Sequence, residues 1–356
     1  MQMKWSSWVV IFFIQFIGWK LLFRNQNFVA FWYENITQNY NQIIYNLTSK
    51  INFPIGEIVY TLLIIGLVYL LFVILRKKSK TEKISLLFKV FSIVLFIYNS
   101  LWGVVNYKEN FNINNDKLKV EVNDLKLLYY NNLEELNILR EELKINEKGT
   151  IDFTYNNDVY LKDVSQNLKK LEKESWINEI ILPEKLVVKE SIFSTLLSYS
   201  GVLGYYNPFT IESNINSNNS DLKTPFTISH ELAHQLGFAT ENEANFIAYY
   251  LGVNSSNPEI KYAAHFKTTF SLLNAIYRHD SIFVKNELDN LPKGIKLDRE
   301  AEKEYYKKYD GKLNDWFSNI NDQFLKANNQ EGIVSYSKYI ELVVYYNSMQ
   351  NKKANQ

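Results

Sequence analysis

The sequence predicts a mainly α-helical protein with a small β element: three membrane-spanning helices followed by an α+β domain. Three observations lead there. Apolar residues crowd the first 105 positions, in runs long enough to cross a bilayer, and polar residues dominate afterwards. Beyond that point apolar residues recur at three- and four-residue steps, with short extended stretches between them. From Thr224 to Leu251, TPFTISHELAHQLGFATENEANFIAYYL carries helix start and stop signals around the spacing H-E-x-x-H. A membrane domain is expected over 1–107 and an extracytoplasmic domain over 108–356.

At 356 residues the chain suffices for one large domain or two ordinary ones. A net charge of +1 gives no electrostatic argument for nucleic acid, which is not expected as a partner. The absence of cysteine excludes disulfides, a thiolate nucleophile and cysteine-based metal sites, and leaves the compartment open.

Three spans are expected, about 5–23, 58–75 and 84–105, each close to the ~20 residues a bilayer core requires. Gln15 and Lys20 interrupt the first, and Lys20 lies near its end, where its stem can snorkel. No small-residue cleavage site follows at Arg24 to Asn27, so an uncleaved helix is favoured over a signal peptide. Arg76, Lys77, Lys78, Lys80 and Lys83 fill the second link, whereas the first holds only Arg24 and Lys50. The positive-inside rule puts the second link and the N-terminus in the cytoplasm, and residues 108–356 outside it. Trp102 and Tyr107 suit an interfacial belt. The aromatic-rich stretch from Arg24 to Gly56 reads either as an amphipathic helix, at the interface or packed on the second domain, or as an ordinary packed loop.

The next elements are a helix from Leu118 to Leu143, a short strand from Thr150 to Tyr155 and a helix from Val164 to Trp176. A strand near Leu186 to Val188 and a helix from Ile192 to Tyr199 follow. Gly201, Gly204 and Pro208 break helices, and Phe209 to Ile211 suit an extended chain. An edge strand here could take up an added extended chain, with Tyr205, Tyr206, Phe209 and Thr210 as candidate contacts; a structural β-turn region is the alternative. Ser213 to Asp221 reads as a mobile loop.

Thr224 as N-cap, Pro225 at the first helical position and Gly237 as stop predict a helix from Pro225 to Leu236. Residues four apart lie about 40° apart around a helix, so His230 and His234 face one way and can share a Zn²⁺ ion. Glu231 beside them suits the general base that takes a proton from the attacking water. Two carboxylates compete as third ligand. Thr240 and Glu243 form a capping box, and Glu243 shares a face with Phe246, Ile247 and Tyr250. Glu241 shares a face with Ala244, Asn245 and Ala248, small enough for close helix approach, and Asn245 is placed to orient a ligand. Glu241 is the choice and Glu243 the alternative.

H-E-x-x-H followed by Glu241, Ala244 and Asn245 resembles the gluzincin-like peptidases, in which the first glutamate of the second motif binds zinc. The chain further resembles a bacterial family catalogued as a domain of unknown function, with three membrane helices before a zincin-like domain. The matching stretches are INFPIGEIVY (51–60), WGVVNY (102–107), GYYNPFTIESNIN (204–216), HELAHQLGFATENEANFIAYYL (230–251) and SYSKYIELVVYY (335–346).

Further helices are expected over Glu259 to Tyr277, Asp298 to Tyr309, Trp316 to Asn328 and Ser335 to Tyr346, before a frayed tail from Lys352. His265, His279, Tyr336 and Tyr339 are candidate donors to a tetrahedral intermediate, against the plainer expectation that they only pack. The sequence thus points to a membrane-anchored zinc metallopeptidase acting on a peptide or protein of the cell envelope. A non-catalytic, membrane-tethered zinc-binding or assembly protein is the alternative, and a hydrolase of another envelope amide is a third reading.

Overall fold

The computed structural model describes residues 5–76, 79–112, 120–154, 156–328, 330 and 335–354. It is mainly helical with a small mixed sheet, and its chain divides into two compact units. One comprises Met1–Glu109, Asn207–Glu212, the other Asn110–Tyr206, Ser213–Gln356.

In the first unit α1 (Trp5–Leu22) packs on α5 (Lys80–Leu101) through an edge-on contact of Phe12 with Phe88. Between them run α2 (Gln26–Trp32), a π-helical turn (Tyr33–Thr37), α3 (Gln38–Thr48) and α4 (Ile55–Arg76). Along α4 the side chains of Leu62, Leu63, Ile64 and Ile65 are all more than half exposed. An uninterrupted apolar surface of that kind calls for lipid or a partner around it.

Among the described residues two helices, α4 and α5, are long and apolar enough to cross a membrane, not the three expected. The first expected span does form a helix. The chain then bends by 107° into Gln26–Thr48, so a third span counts only if that bent pair is taken as one. The expected third span ends early: α5 stops at Leu101, and Gly103–Tyr107 is a 3-10 turn. Lys77 and Lys78 of the basic link lie outside the described residues.

The second unit contains α6 (Val122–Glu142), α7 (Asn157–Leu171), α8 (Ser194–Tyr199), α9 (Thr224–Gln235), α10 (Glu241–Val253) and α11 (Pro258–Tyr277). It closes with α12 (Ser281–Asn290), α13 (Lys293–Lys307), α14 (Lys312–Ala327) and α15 (Ser335–Ala354). α9, α11 and α15 pack on α10. Ala233, Ala244 and Ala248 are buried between neighbours, and a Cβ on Gly252 would collide with that of Ala264, so the helices approach closely. Ile228 and Leu232 of α9 are fully buried, worth about 1.5–3 kcal/mol each relative to exposure.

The sheet has the order β1-β3-β2, with β1 (Val188–Glu190), β2 (Gly204–Asn207) and β3 (Glu212–Ile215). β1 pairs with β3 in parallel, Val188 opposite Ser213. β2 and β3 are joined by a turn too short for a parallel crossover, so they run antiparallel and β2 forms one edge. Here the expectation of a mobile loop from Ser213 fails. Ser213 and Asn214 are fully buried: both pair with β1 in the sheet, and the Ser213 hydroxyl donates to the Glu231 carbonyl. Thr150 to Thr154 is not a strand either: the stretch contributes a single bridge, Ile151 to Ile145, and Tyr155 lies outside the described residues.

Candidate metal centre

Helix α9 starts one residue before its expected position. Thr224 is already helical and its hydroxyl donates to the Ser220 carbonyl instead of capping. Pro225 keeps the first turn. Tyr160 locks that turn from α7 through hydrogen bonds of its hydroxyl with the Pro225 carbonyl and the Ser229 hydroxyl. At the other end Gly237 has φ +94°, its N–H reaches the His234 carbonyl, and the Phe238 N–H reaches the Ala233 carbonyl. This is a Schellman stop, and only glycine adopts that φ at little cost. The turn also aims the Phe238 carbonyl back at the site, 2.8 Å from His234 Nδ1.

That contact sets the tautomer. A carbonyl only accepts, so His234 donates from Nδ1 and presents a lone pair at Nε2. The Nε2 atoms of His234 and His230 lie 3.1 Å apart. Two nitrogens on one tetrahedral ion, each about 2.0–2.1 Å from it, would be separated by about 3.3 Å. Glu241, first residue of α10, brings its carboxylate to 3.2 Å from His230 Nε2 and 3.7 Å from His234 Nε2. The three residues form the one group of potential metal ligands among the described residues, with donor atoms within 4.8 Å of one another. Glu243 is brought elsewhere: its carboxylate accepts from Asn110 Nδ2 at 3.1 Å, and the same amide lies 3.2 Å from the Gly237 carbonyl. Thr240 makes no side-chain cap bond, so the expected capping box does not form. Asn245 donates to the Glu241 backbone carbonyl at 2.7 Å rather than to a ligand side chain.

The electrostatics of the cluster follow from burial and from the mutual closeness of its members. Burial lowers His234 to about 4, with His230 adding to the effect, so His234 is neutral near pH 7, as a ligand must be. Burial also pulls His230 down, but the hydrogen bond and charge of Glu241, helped by Glu231, hold it above its ordinary value. Burial pushes the Glu231 carboxyl up to about 8; His230 opposes this and Glu241 adds to it. A cation at the triad would reverse that push on Glu231. Glu231 Oε2 is buried without a hydrogen-bond partner among the described residues. Two imidazoles, the half-buried Glu241 carboxylate and an orphaned acceptor beside them fit a divalent metal ion.

Glu231 is held from two sides of the sheet. The Ser213 hydroxyl on β3 lies 2.9 Å from both the Glu231 carbonyl and Gln235 Oε1. On β2, a Cβ at Gly204 would come within 2.9 Å of Glu231 Cγ and Oε1. Tyr205 and Tyr206 follow on that strand, both half-buried. Phe209 and Thr210 belong to the first unit, where the Phe209 carbonyl accepts from the Tyr40 hydroxyl and Thr210 bonds Glu212. His265 pairs with Asn132 at 2.8 Å, Tyr339 is wholly buried, and Tyr336 has no described side chain. Gly204, Ser213, Asn110 and the Phe238 carbonyl were not singled out by sequence for these roles. Gly204 was visible only as a helix breaker, and nothing in the pattern marks the others.

No curated protein and no solved structure matches the chain. The family model described as Protein of unknown function (DUF3810) matches residues 32–344, a stretch that holds both α4 and α5 and all three members of the triad. The chain therefore belongs to this family.

Proposed function

We propose that this chain is a membrane-anchored zinc metallopeptidase of gluzincin-like type, hydrolysing peptide or protein substrates of the bacterial cell envelope. The observation that carries the reading is the convergence of His230, His234 and Glu241 beside a buried, unpartnered Glu231 oxygen. Two histidines and a glutamate are a donor set of catalytic zinc sites, and three protein ligands leave a position open, whereas a structural zinc site closes with four. That count favours an enzyme over a zinc-stabilised assembly protein.

His230, His234 and Glu241 would hold the ion, which when bound supplies Lewis acidity to the scissile carbonyl and acidifies the attacking water. The protein does the rest. Glu231 Oε2 takes the water's proton and returns it to the leaving amine nitrogen. The Phe238 carbonyl keeps His234 in its ligating tautomer. An extended substrate adds to the β2 edge, where Gly204 lets the backbone pass close to Glu231 and Tyr205 and Tyr206 supply contacts.

The basic link from Arg76 to Lys83 supports a cytoplasmic loop between α4 and α5. Because α4 and α5 form a pair around that loop, the chain beyond α5 lies outside the cytoplasm whether or not α1 also crosses. The deciding experiment compares wild type and Glu231→Gln as full-length proteins in nanodiscs. The variant is expected to retain stoichiometric zinc and to lose cleavage of a quenched-fluorescent peptide library. Unchanged cleavage in the variant overturns the mechanism.

A further inference from the structure

We propose that the bent segment Gln26–Thr48 lies in the plane of the bilayer interface, its partner being the boundary between lipid headgroups and acyl chains. The inference rests on α4 and α5 crossing the membrane and is independent of the peptidase reading. Four observations within the first unit carry it. The segment departs from α1 by 107°, so a helix α1 aligned with the spans makes this one nearly parallel to the membrane surface. Its depth is fixed at the end of a span: Thr37 Oγ1 and Trp32 Nε1 both donate to the Ser100 carbonyl, at 2.8 and 3.3 Å, in the last turn of α5. The exposed surface of α3 divides lengthwise. Ile43 and Leu47, one turn apart, are 62% and 60% exposed, and Asn39, Gln42 and Asn46 form an exposed polar stripe at three- and four-residue steps beside them. Tyr45 and Thr48 on the remaining face are buried in the protein.

An exposed isoleucine–leucine stripe is costly in water, at about 25 cal/mol per Å² of apolar surface. An exposed asparagine stripe is costly in hydrocarbon, where each unpaired amide lacks water. A helix that shows both side by side is satisfied only where water and acyl chains meet. Glu34 is the sole charged residue from Gln26 to Thr48, so the attachment is apolar and not a polybasic attraction to anionic lipid.

The chain has no cysteine, which makes single-cysteine labelling clean. Ile43→Cys, Leu47→Cys, Asn39→Cys and Asn46→Cys full-length proteins carry an environment-sensitive fluorophore in phosphatidylcholine nanodiscs, with Ile64→Cys in α4 as the deep reference. Each variant is first matched to wild type in elution and thermal midpoint. Labels at 43 and 47 are expected to emit to the blue of those at 39 and 46. They should be quenched several-fold less by aqueous iodide, and more by lipid spin labels near the headgroup than by those near the chain end. Equal iodide quenching at all four positions overturns the proposal, as does deep quenching at 43 and 47 matching that at 64. An aqueous signal at 64 would overturn the membrane reading and this proposal with it.

Discussion

Gly204 lies against Glu231 so closely that a Cβ would stand 2.9 Å from its carboxylate oxygen and 2.9 Å from the Asn214 carbonyl behind it. The added methyl has backbone on one side, so the glutamate side chain must give way. Gly204→Ala is expected to lower kcat/KM by about 100-fold, the cost of roughly 1 Å of misplacement of a reacting group. Zinc content should be unchanged, since the ligands lie on α9 and α10. Peptide hydrolysis measured beside metal stoichiometry checks both halves, and full activity would remove β2 from the reacting centre.

The two carboxylates at the head of α10 separate cleanly by experiment. Glu241 faces both imidazoles, whereas Glu243 accepts from Asn110. Glu241→Gln removes a charged ligand and should abolish stoichiometric zinc. Glu243→Gln keeps an acceptor for Asn110, so it should keep the metal and cost only about 1 kcal/mol, the difference between a hydrogen bond to a charged and to a neutral group. Metal analysis and thermal unfolding of the two variants decide the assignment; retained zinc in Glu241→Gln would refute it.

On the proposed reading, the Gly237 turn links stability to metal affinity. Its φ of +94° is strained for any side chain, and the turn delivers the carbonyl that orients His234. Gly237→Ala is therefore expected to destabilise by about 1–2 kcal/mol. It should also weaken zinc binding by about 10–100-fold, as loss of a ligand's outer hydrogen bond does. Chelator competition monitors the second effect. A loss of stability with zinc affinity intact would mean that the carbonyl does not act on the metal.

His265, one candidate donor to an oxyanion, serves the fold instead. Its Nδ1 donates to Asn132 Oδ1 at 2.8 Å, and burial, helped by Lys261, lowers it to about 4 from 6.5. Between those values the unfolded chain binds a proton that the folded chain refuses, so the stability due to neutral His265 is complete above about 6.5 and drains away towards 4. His265→Gln keeps a partner for Asn132 without titrating. It should flatten the acid limb of denaturation over that window and leave peptide hydrolysis near neutrality unchanged. Chemical unfolding at several pH values tests it, and an unaltered acid limb contradicts the assignment.

What the sequence reveals and conceals follows from range. Pro225 and Gly237 act on their own backbone, so the limits of α9 were readable to within a residue or so. The grouping of Glu241, rather than Glu243, with the two histidines was reachable from helical faces, because the stretch from His230 to Glu241 spans only a dozen residues. The capping box assigned to Glu243 failed because Asn110, 133 positions away, takes that carboxylate. Ser213 to Asp221 looked like a mobile loop, yet Ser213 to Ile215 lie in β3, because side-chain chemistry alone cannot announce that a sheet will pair with the stretch. The bend after α1 was equally hidden. Phe23 to Asn25 carries no proline or glycine, and Asn25 starts the new helix by accepting from the Phe28 N–H.

Glu212 gives the last expectation. Inside the first unit its buried carboxylate accepts from the Ile55 and Gly56 N–H groups at the head of α4, at 3.0 and 2.5 Å, and from the Thr210 hydroxyl at 2.6 Å. A negative charge at a helix N-terminus satisfies orphan donors and the dipole together. The tip is otherwise strained, with β-branched Ile211 at φ +53°, and it presses on Gly56, where a Cβ would collide with the side chains of Asn207 and Thr210. Removing the carboxylate leaves buried amides unpaired while the strain persists. Glu212→Ala should cost about 2–4 kcal/mol, summing over unpaired buried donors at about 1–3 kcal/mol each and allowing for partial relaxation. Glu212→Gln keeps an acceptor and should cost less. Hydrogen exchange of the full-length protein in nanodiscs gives the sharper readout. The amides of Ile55, Gly56 and residues 209–211 should lose protection in Glu212→Ala, while those of α9 and α10 keep theirs. Unchanged protection at Ile55 and Gly56 would mean that water or another group caps α4 as well as Glu212 does.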